Sequence, residues 1–286
     1  MTSPTDDIGP TLCAVTSVLL SLAVGLVCLR CYVRLRLTRS FWWDDSFILL
    51  ALAFLIASDA LIYYEIRLGL GKHNGSLSDP MATVKSLLKS LNDFKVVYLI
   101  GSFLNKISIG LFLLRLKFSS RWFIGIMWAL MFLLEAITVA AVVVNIIQCN
   151  NLRIVVKESQ AMVLCPARQA AAIIVYMQSG ISILMDLFLS ISPIIVLWNV
   201  QLSFRQKFWV CGLMALGLLA TIANALRNKY VSTLATFDQA YTFVVLVIIS
   251  ELELSLGIIA GCSEEHRAVS LEGEQYLVHG DGLKLP

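Results

Sequence analysis

Seven stretches of this chain are each apolar for long enough to cross a hydrocarbon core about 30 Å thick, which takes about twenty helical residues. No other feature limits the possible folds so severely. Inside lipid the backbone must satisfy its own hydrogen bonds, and a chain with this pattern does so as helix. The expected spans are Pro10–Leu29, Asp44 to about Ile66, Phe94–Leu114, Trp122–Ile147, Ala170–Trp198, Phe208–Leu226 and Tyr241–Gly261. Composition agrees: 58% of the residues are hydrophobic and only 14% charged, where soluble domains carry about a quarter. The expected fold is an all-α membrane protein, a seven-transmembrane helix bundle in which residues 1–9 form an outer N-terminus, 10–261 the helical domain and 262–286 a short cytosolic tail. Its surroundings are the lipid bilayer, and no nucleic-acid partner is expected.

The connections carry the orientation. Residues 1–9 hold Asp6 and Asp7 but no Lys or Arg, so the first apolar run reads as a retained helix rather than a secretory signal. The short loops after the first, third and fifth spans hold Arg30, Arg34, Arg36 and Arg39, then Arg115, Lys117 and Arg121, then Arg205 and Lys207. Basic residues concentrated in short loops mark the cytosolic side, which puts the N-terminus outside and the C-terminus inside. Trp42, Trp43, Trp122, Trp198 and Trp209 stand near span ends, where aromatic rings prefer the membrane–water boundary. Between Met81 and Leu91 the apolar residues recur at helical spacing, giving either an interfacial helix or an early extension of the third span.

Cysteines follow this orientation. Cys149 and Cys165 share the outer loop Gln148–Arg168, an oxidising setting in which a disulfide is expected. Asn74-Gly75-Ser76 is the one N-glycosylation sequon and falls on the same side. No metal site and no cofactor are expected.

Chemistry in such a bundle must come from ionisable groups within the spans, because an intramembrane charge is costly enough to mark a functional site. At 1.5 Å per residue, Lys106, Asp186, Glu251 and Glu253 fall in one layer about 9–16 Å above the inner boundary. Asp59 and Glu135 lie about 20 Å up, and are taken as binding residues. One lysine facing three carboxylates cannot neutralise them all, so at least one is expected to stay a neutral carboxylic acid, which is what a general acid requires. Glu251 and Glu253 are two residues apart, about 200° around a helix, so they cannot both face one cavity. Simple helix-to-helix pairing is an equally open role for Lys106 and Asp186. Asp44 and Asp45 open the second span and read as structural: carboxylates at a helix N-terminus, facing Arg34 or Arg36.

A family resemblance rests on several of these residues together. Arg30-Cys31-Tyr32-Val33-Arg34, Trp43-Asp44-Asp45, Gly69-Leu70-Gly71-Lys72-His73, Lys106-Ile107-Ser108-Ile109, Gln148-Cys149, Asp186 with Pro193, and Glu251 resemble the pattern of the fungal rhodopsin-domain family. That group of seven-helix proteins includes the satratoxin-cluster membrane protein and pathogenicity-related receptor-like proteins. The chain departs from it at Gly261-Cys262-Ser263-Glu264-Glu265, where a Pro-containing exit is usual. Retinal is not implied, because the Schiff-base lysine of a last helix has no counterpart in Tyr241–Gly261.

The resemblance implies two function classes. In the first, the protein serves a fungal secondary-metabolite biosynthetic pathway as an acid-catalysed isomerase or cyclase of an apolar small molecule, with Glu251, Glu253, Asp186 and Lys106 as the catalytic set. In the second, it is a receptor for an extracellular ligand and engages a cytosolic signalling partner. The multi-pass protein is expected in the plasma membrane or the endoplasmic reticulum, with the pathway reading preferred.

Overall fold

A computed structural model describes residues 8–37, 42–71, 80–115, 121–155, 166–197, 218–219, 221–222 and 244–262. Cys165, Asn74 and the side chain of Cys149 lie outside that set, and so do the disulfide and the sequon they bear on. Helix α1 (Gly9–Tyr32) begins with Pro10 in its first turn, where a missing N–H costs nothing. It does not stop at Leu29 as expected: α-helix continues through Tyr32, and a π-helical segment follows over Val33–Leu37. The arginines that read as a loop are therefore largely helical, because a segment leaving the membrane still gains by pairing its own backbone groups.

Helix α2 (Trp43–Leu68) opens on a cap in which the Trp42 N–H donates to Asp45 Oδ2 at 3.1 Å. It closes at Gly69, whose φ of 110° reverses the chain while Leu70 N–H donates to Glu65 O at 2.9 Å. Gly71, at φ 94°, packs against the start of α1 so closely that a Cβ there would stand 2.9 Å from Gly9 N. Helix α3 (Pro80–Arg115) is continuous, so the amphipathic stretch 81–91 is an early extension of the third span. Helix α4 (Arg121–Val155) runs past its expected end at Ile147 and takes in Cys149, and α5 (Pro166–Leu197) starts earlier than expected. Residues 148–155 and 166–168 of the expected loop Gln148–Arg168 are thus helix. A helix of 35 residues is about 52 Å long and outreaches a hydrocarbon core about 30 Å thick.

The last described helix, α6 (Val244–Cys262), answers to the seventh expected span. The sixth, Phe208–Leu226, lies mostly outside the described residues, of which 218–219 and 221–222 are helical. Among the described residues six helices are long and apolar enough to cross a membrane. The chain is a multi-pass helical membrane protein.

Two apolar cores meet along α3. One joins α1, α2, α3 and α6 through Leu12, Ile48, Leu55, Tyr98, Leu254 and Ile258. The other joins α3, α4 and α5 through Phe112, Met127, Met131, Leu134, Met185 and Leu189. Large apolar side chains such as Leu22, Leu50, Phe132 and Ile173 are exposed, as suits a lipid-facing surface. The helices approach closely where small residues sit: a Cβ on Gly101 would lie 3.0 Å from Phe54 and 3.1 Å from Leu254.

Candidate functional site

Helices α3 and α6 run through the middle of the bundle, and both carry ionisable side chains that the packing seals from the surface. Lys106 of α3 is the hub of one cluster. Its ammonium lies 3.0 Å from Asp186 of α5 and 3.2 Å from Glu253 of α6, and it also donates to the Ser182 hydroxyl. Glu253 accepts further bonds from the Tyr98 hydroxyl and, at 3.3 Å, from the Ser102 hydroxyl. Tyr98, Ser102 and Lys106 are four residues apart in succession, so one stripe of α3 supplies them all.

Glu251 leaves this layer. Although its height resembles that of Glu253, the helical offset turns it toward α2, where the Ser58 hydroxyl lies 3.2 Å from each of its carboxylate oxygens. The expected single layer of Lys106, Asp186, Glu251 and Glu253 is therefore two sites on opposite faces of α6. Asp59 is within electrostatic range of Glu251, and the Thr16 hydroxyl of α1 is within interaction range of Asp59. Asp59 is 1% exposed, and among the described residues neither of its oxygens makes a hydrogen bond of normal geometry. Glu135, taken from sequence as a binding residue, is exposed on the outer surface of α4 and joins neither site. Its height was readable but its azimuth was not.

A third cluster closes the end of the bundle where α1 meets α2. Arg30 is 2% exposed and donates through Nε to Asp45 at 3.0 Å, through Nη2 to Asp44 at 3.0 Å, and through Nη1 to the carbonyl of Gly261 at 3.1 Å. Arg34 adds contacts of 3.4 Å to Asp44 and 3.6 Å to Asp45. The Ser108 hydroxyl of α3 donates to the Asp44 carbonyl at 2.7 Å. Of the two partners expected for the aspartates, Arg34 faces them and Arg36 is exposed. The principal partner is Arg30, which sequence reasoning left in a loop. Near the other end of α2, buried Glu65 accepts from Ser90 of α3 at 3.1 Å.

Sequence reasoning also missed Tyr98, Ser102, Ser182, Ser58 and Thr16. Their signal was available as spacing: hydroxyl residues one turn from an ionisable group on the same helix, as Ser102 is from Lys106 and Ser182 from Asp186. Among the described residues no three His, Cys, Asp or Glu side chains converge as a metal site would require. A groove of about 340 Å³ on the surface of α4, lined by Arg121, Trp122, Gly125, Ile126 and Ala129, is apart from all three clusters.

A bundle whose described elements are all helices, with charge clusters buried between its spans, defines an integral membrane protein. The fungal rhodopsin domain matches residues 29–270, most of the chain, and the chain belongs to that family. No curated protein and no solved structure matches.

Proposed function

We propose that the protein is a seven-span, N-out/C-in membrane receptor in which α6 carries the state of the outer half of the bundle to its cytosolic end. The observation that supports this reading is the anchoring of α6 on opposite faces. Glu253 is held by Lys106, Ser102 and Tyr98, while Glu251 faces Ser58 in the other direction. Arg30 holds the same helix by its end at Gly261. Rotation of α6 in either sense breaks one set of bonds, and packed interfaces of this kind change between discrete arrangements. A ligand that favours one arrangement shifts the population toward it, and a cytosolic partner touching the inner loops reads the shift. The receptor reading puts the protein in the plasma membrane, with Asn74 glycosylated and Cys149 bonded to Cys165 outside.

A second reading, acid catalysis on an apolar small molecule in a secondary-metabolite pathway, draws on a different observation. Three donors converge on Glu253, an acceptor's environment rather than an acid's. Asp59 has two sealed oxygens with no hydrogen-bond partner among the described residues, so the acid of this reading is Asp59 or Glu251, and its membrane is the endoplasmic reticulum.

Deleting the gene and comparing both metabolites and responses separates the two. A lost response to an external stimulus with an unchanged small-molecule profile supports the receptor. A stalled or missing metabolite, restored by the wild-type gene and not by Asp59→Asn, replaces it with the enzyme.

A further inference from the structure

The groove on α4 is charged at one end and apolar along the rest. Arg121, Gly125 and Ala129 follow one another at four-residue intervals and so share one face of the helix. Gly125 and Ala129 are too small to fill that face. Among the described residues nothing lies within 4 Å of where a Cβ on Gly125 would stand. Trp122 and Ile126, one position further round, form a wall beside this low floor. The space so framed is about 340 Å³, and all five residues are exposed.

Tryptophans locate the groove in the membrane. Consecutive spans alternate in direction, so α2 and α4 begin on the same side. Trp42 and Trp43 at the start of α2 are exposed, and Trp122 at the start of α4 is 84% exposed. Indole rings collect where lipid headgroups meet hydrocarbon, which sets Arg121 at headgroup level. Ala129 stands about 12 Å further along the helix axis, within the hydrocarbon.

We propose that this groove binds one phospholipid of net negative charge, its headgroup on Arg121 and one acyl chain along Gly125 and Ala129. A guanidinium pairs with phosphate oxygens through two parallel N–H donors. Trp122 offers an amphipathic ring to the region between headgroup and chain, and Ile126 gives the chain apolar contact. Charge complementarity favours this occupant over a second copy of the protein. A two-fold axis along the membrane normal would bring the two Arg121 side chains to one level beside it, where like charges repel. An anionic lipid brings the opposite charge to the guanidinium instead. Neither function proposed above requires this site, and it survives the failure of either.

The test is native mass spectrometry of the full chain released from a mild detergent. Phosphatidylserine and phosphatidylcholine with the same acyl chains are titrated separately, and the first bound lipid is counted. Wild type should take up phosphatidylserine about fivefold more tightly, the preference that one cation near the surface confers. Arg121→Gln should bind the two alike. Gly125→Leu, which fills the floor, should weaken both. Arg36→Gln, at an exposed cation on the same side of the membrane but outside the groove, should keep the wild-type preference. All three positions are exposed, so the variants fold. Glycerol phosphate, a headgroup without chains, should not compete. A wild type without preference, or a preference that survives Arg121→Gln, overturns the site. An equal loss in Arg36→Gln assigns the charge to the whole boundary and overturns it too. Displacement of phosphatidylserine by glycerol phosphate makes the site one for a soluble anion. A wild-type dimer that Gly125→Leu splits gives the groove to a second copy, and the lipid proposal falls.

Discussion

Arg30 of α1 donates to the carbonyl of Gly261, 3.1 Å away and 231 residues along the chain, and so ties the first helix to the last described one. The same guanidinium grips both Asp44 and Asp45, using its planar fork as a lysine could not. Replacing Arg30 by Gln leaves two buried carboxylates with only the longer contacts of Arg34, and a broken buried pair costs about 3–5 kcal/mol. Arg36→Gln, on the exposed side of the same segment, should stay within about 0.5 kcal/mol of wild type. Unfolding of the two variants in detergent measures the difference, and equal losses would show that Arg30 is not the anchor.

The Lys106 cluster predicts an unequal pair. Lys106→Met leaves both Asp186 and Glu253 without their cation, whereas Asp186→Asn leaves Lys106 still bonded to Glu253. The first should cost about 3–5 kcal/mol and the second clearly less. Combining them should recover only part of the loss, because Glu253 stays stranded; adding Glu253→Gln should recover more. A double mutant as unstable as the sum of its parts would dissolve the coupling.

Glu251→Gln and Glu253→Gln should part company. Gln at 253 deprives Lys106 of a charged acceptor, at a cost of about 1–3 kcal/mol. Gln at 251 keeps a polar partner for Ser58 and breaks no ion pair among the described residues, so stability should hold or improve. Thermal midpoints of the two variants side by side are the check; a larger loss at 251 would reverse the assignment of the two faces of α6.

Gly101 and Gly125 should respond oppositely to added bulk. A Cβ on Gly101 meets Phe54 at 3.0 Å and Leu254 at 3.1 Å, so Gly101→Leu forces α2 and α6 apart at about 1–3 kcal/mol. At Gly125 nothing lies within 4 Å, and Gly125→Ala should gain about 0.5–1 kcal/mol by stiffening the helix. Expression level and unfolding midpoint read both changes, and a neutral Gly101→Leu would mean that the contact yields.

Seven spans with the C-terminus inside predict that a protease-sensitive tag after Pro286 survives treatment of intact cells and is cut once they are opened. Peptide mapping without reductant should recover Cys149 and Cys165 as one linked pair, and a glycosidase should shift the mass through Asn74. Digestion of the tag from outside would invert the topology and move both modifications to the wrong side.

Depth was legible in the linear order of residues, and direction was not. Because a helix climbs at a fixed rise, the heights of Lys106, Asp186 and Glu253 followed from counting, and the three do meet. The same counting put Glu251 in their company and gave Glu135 an interior place. Packing turned Glu251 toward Ser58 and left Glu135 on the exterior. Azimuth depends on which neighbour each helix face meets, and a membrane span that is apolar on nearly every side carries little amphipathic signal to reveal it.

That the chain crosses a membrane as helices was settled by its residues alone, since a backbone in lipid has few other ways to satisfy its hydrogen bonds. The basic character of Arg30 and Arg34 and the acidic start of α2 were equally plain. Which groups share a partner was decided only when the helices came together. Arg30 could meet Gly261 only because α1 keeps its helical turn past Leu29 and α6 ends beside it, a juxtaposition between distant segments that no local pattern encodes. Asp59 was sealed from the surface for the same reason: its described surroundings come from α1 and α6, which only the long-range packing brings to it.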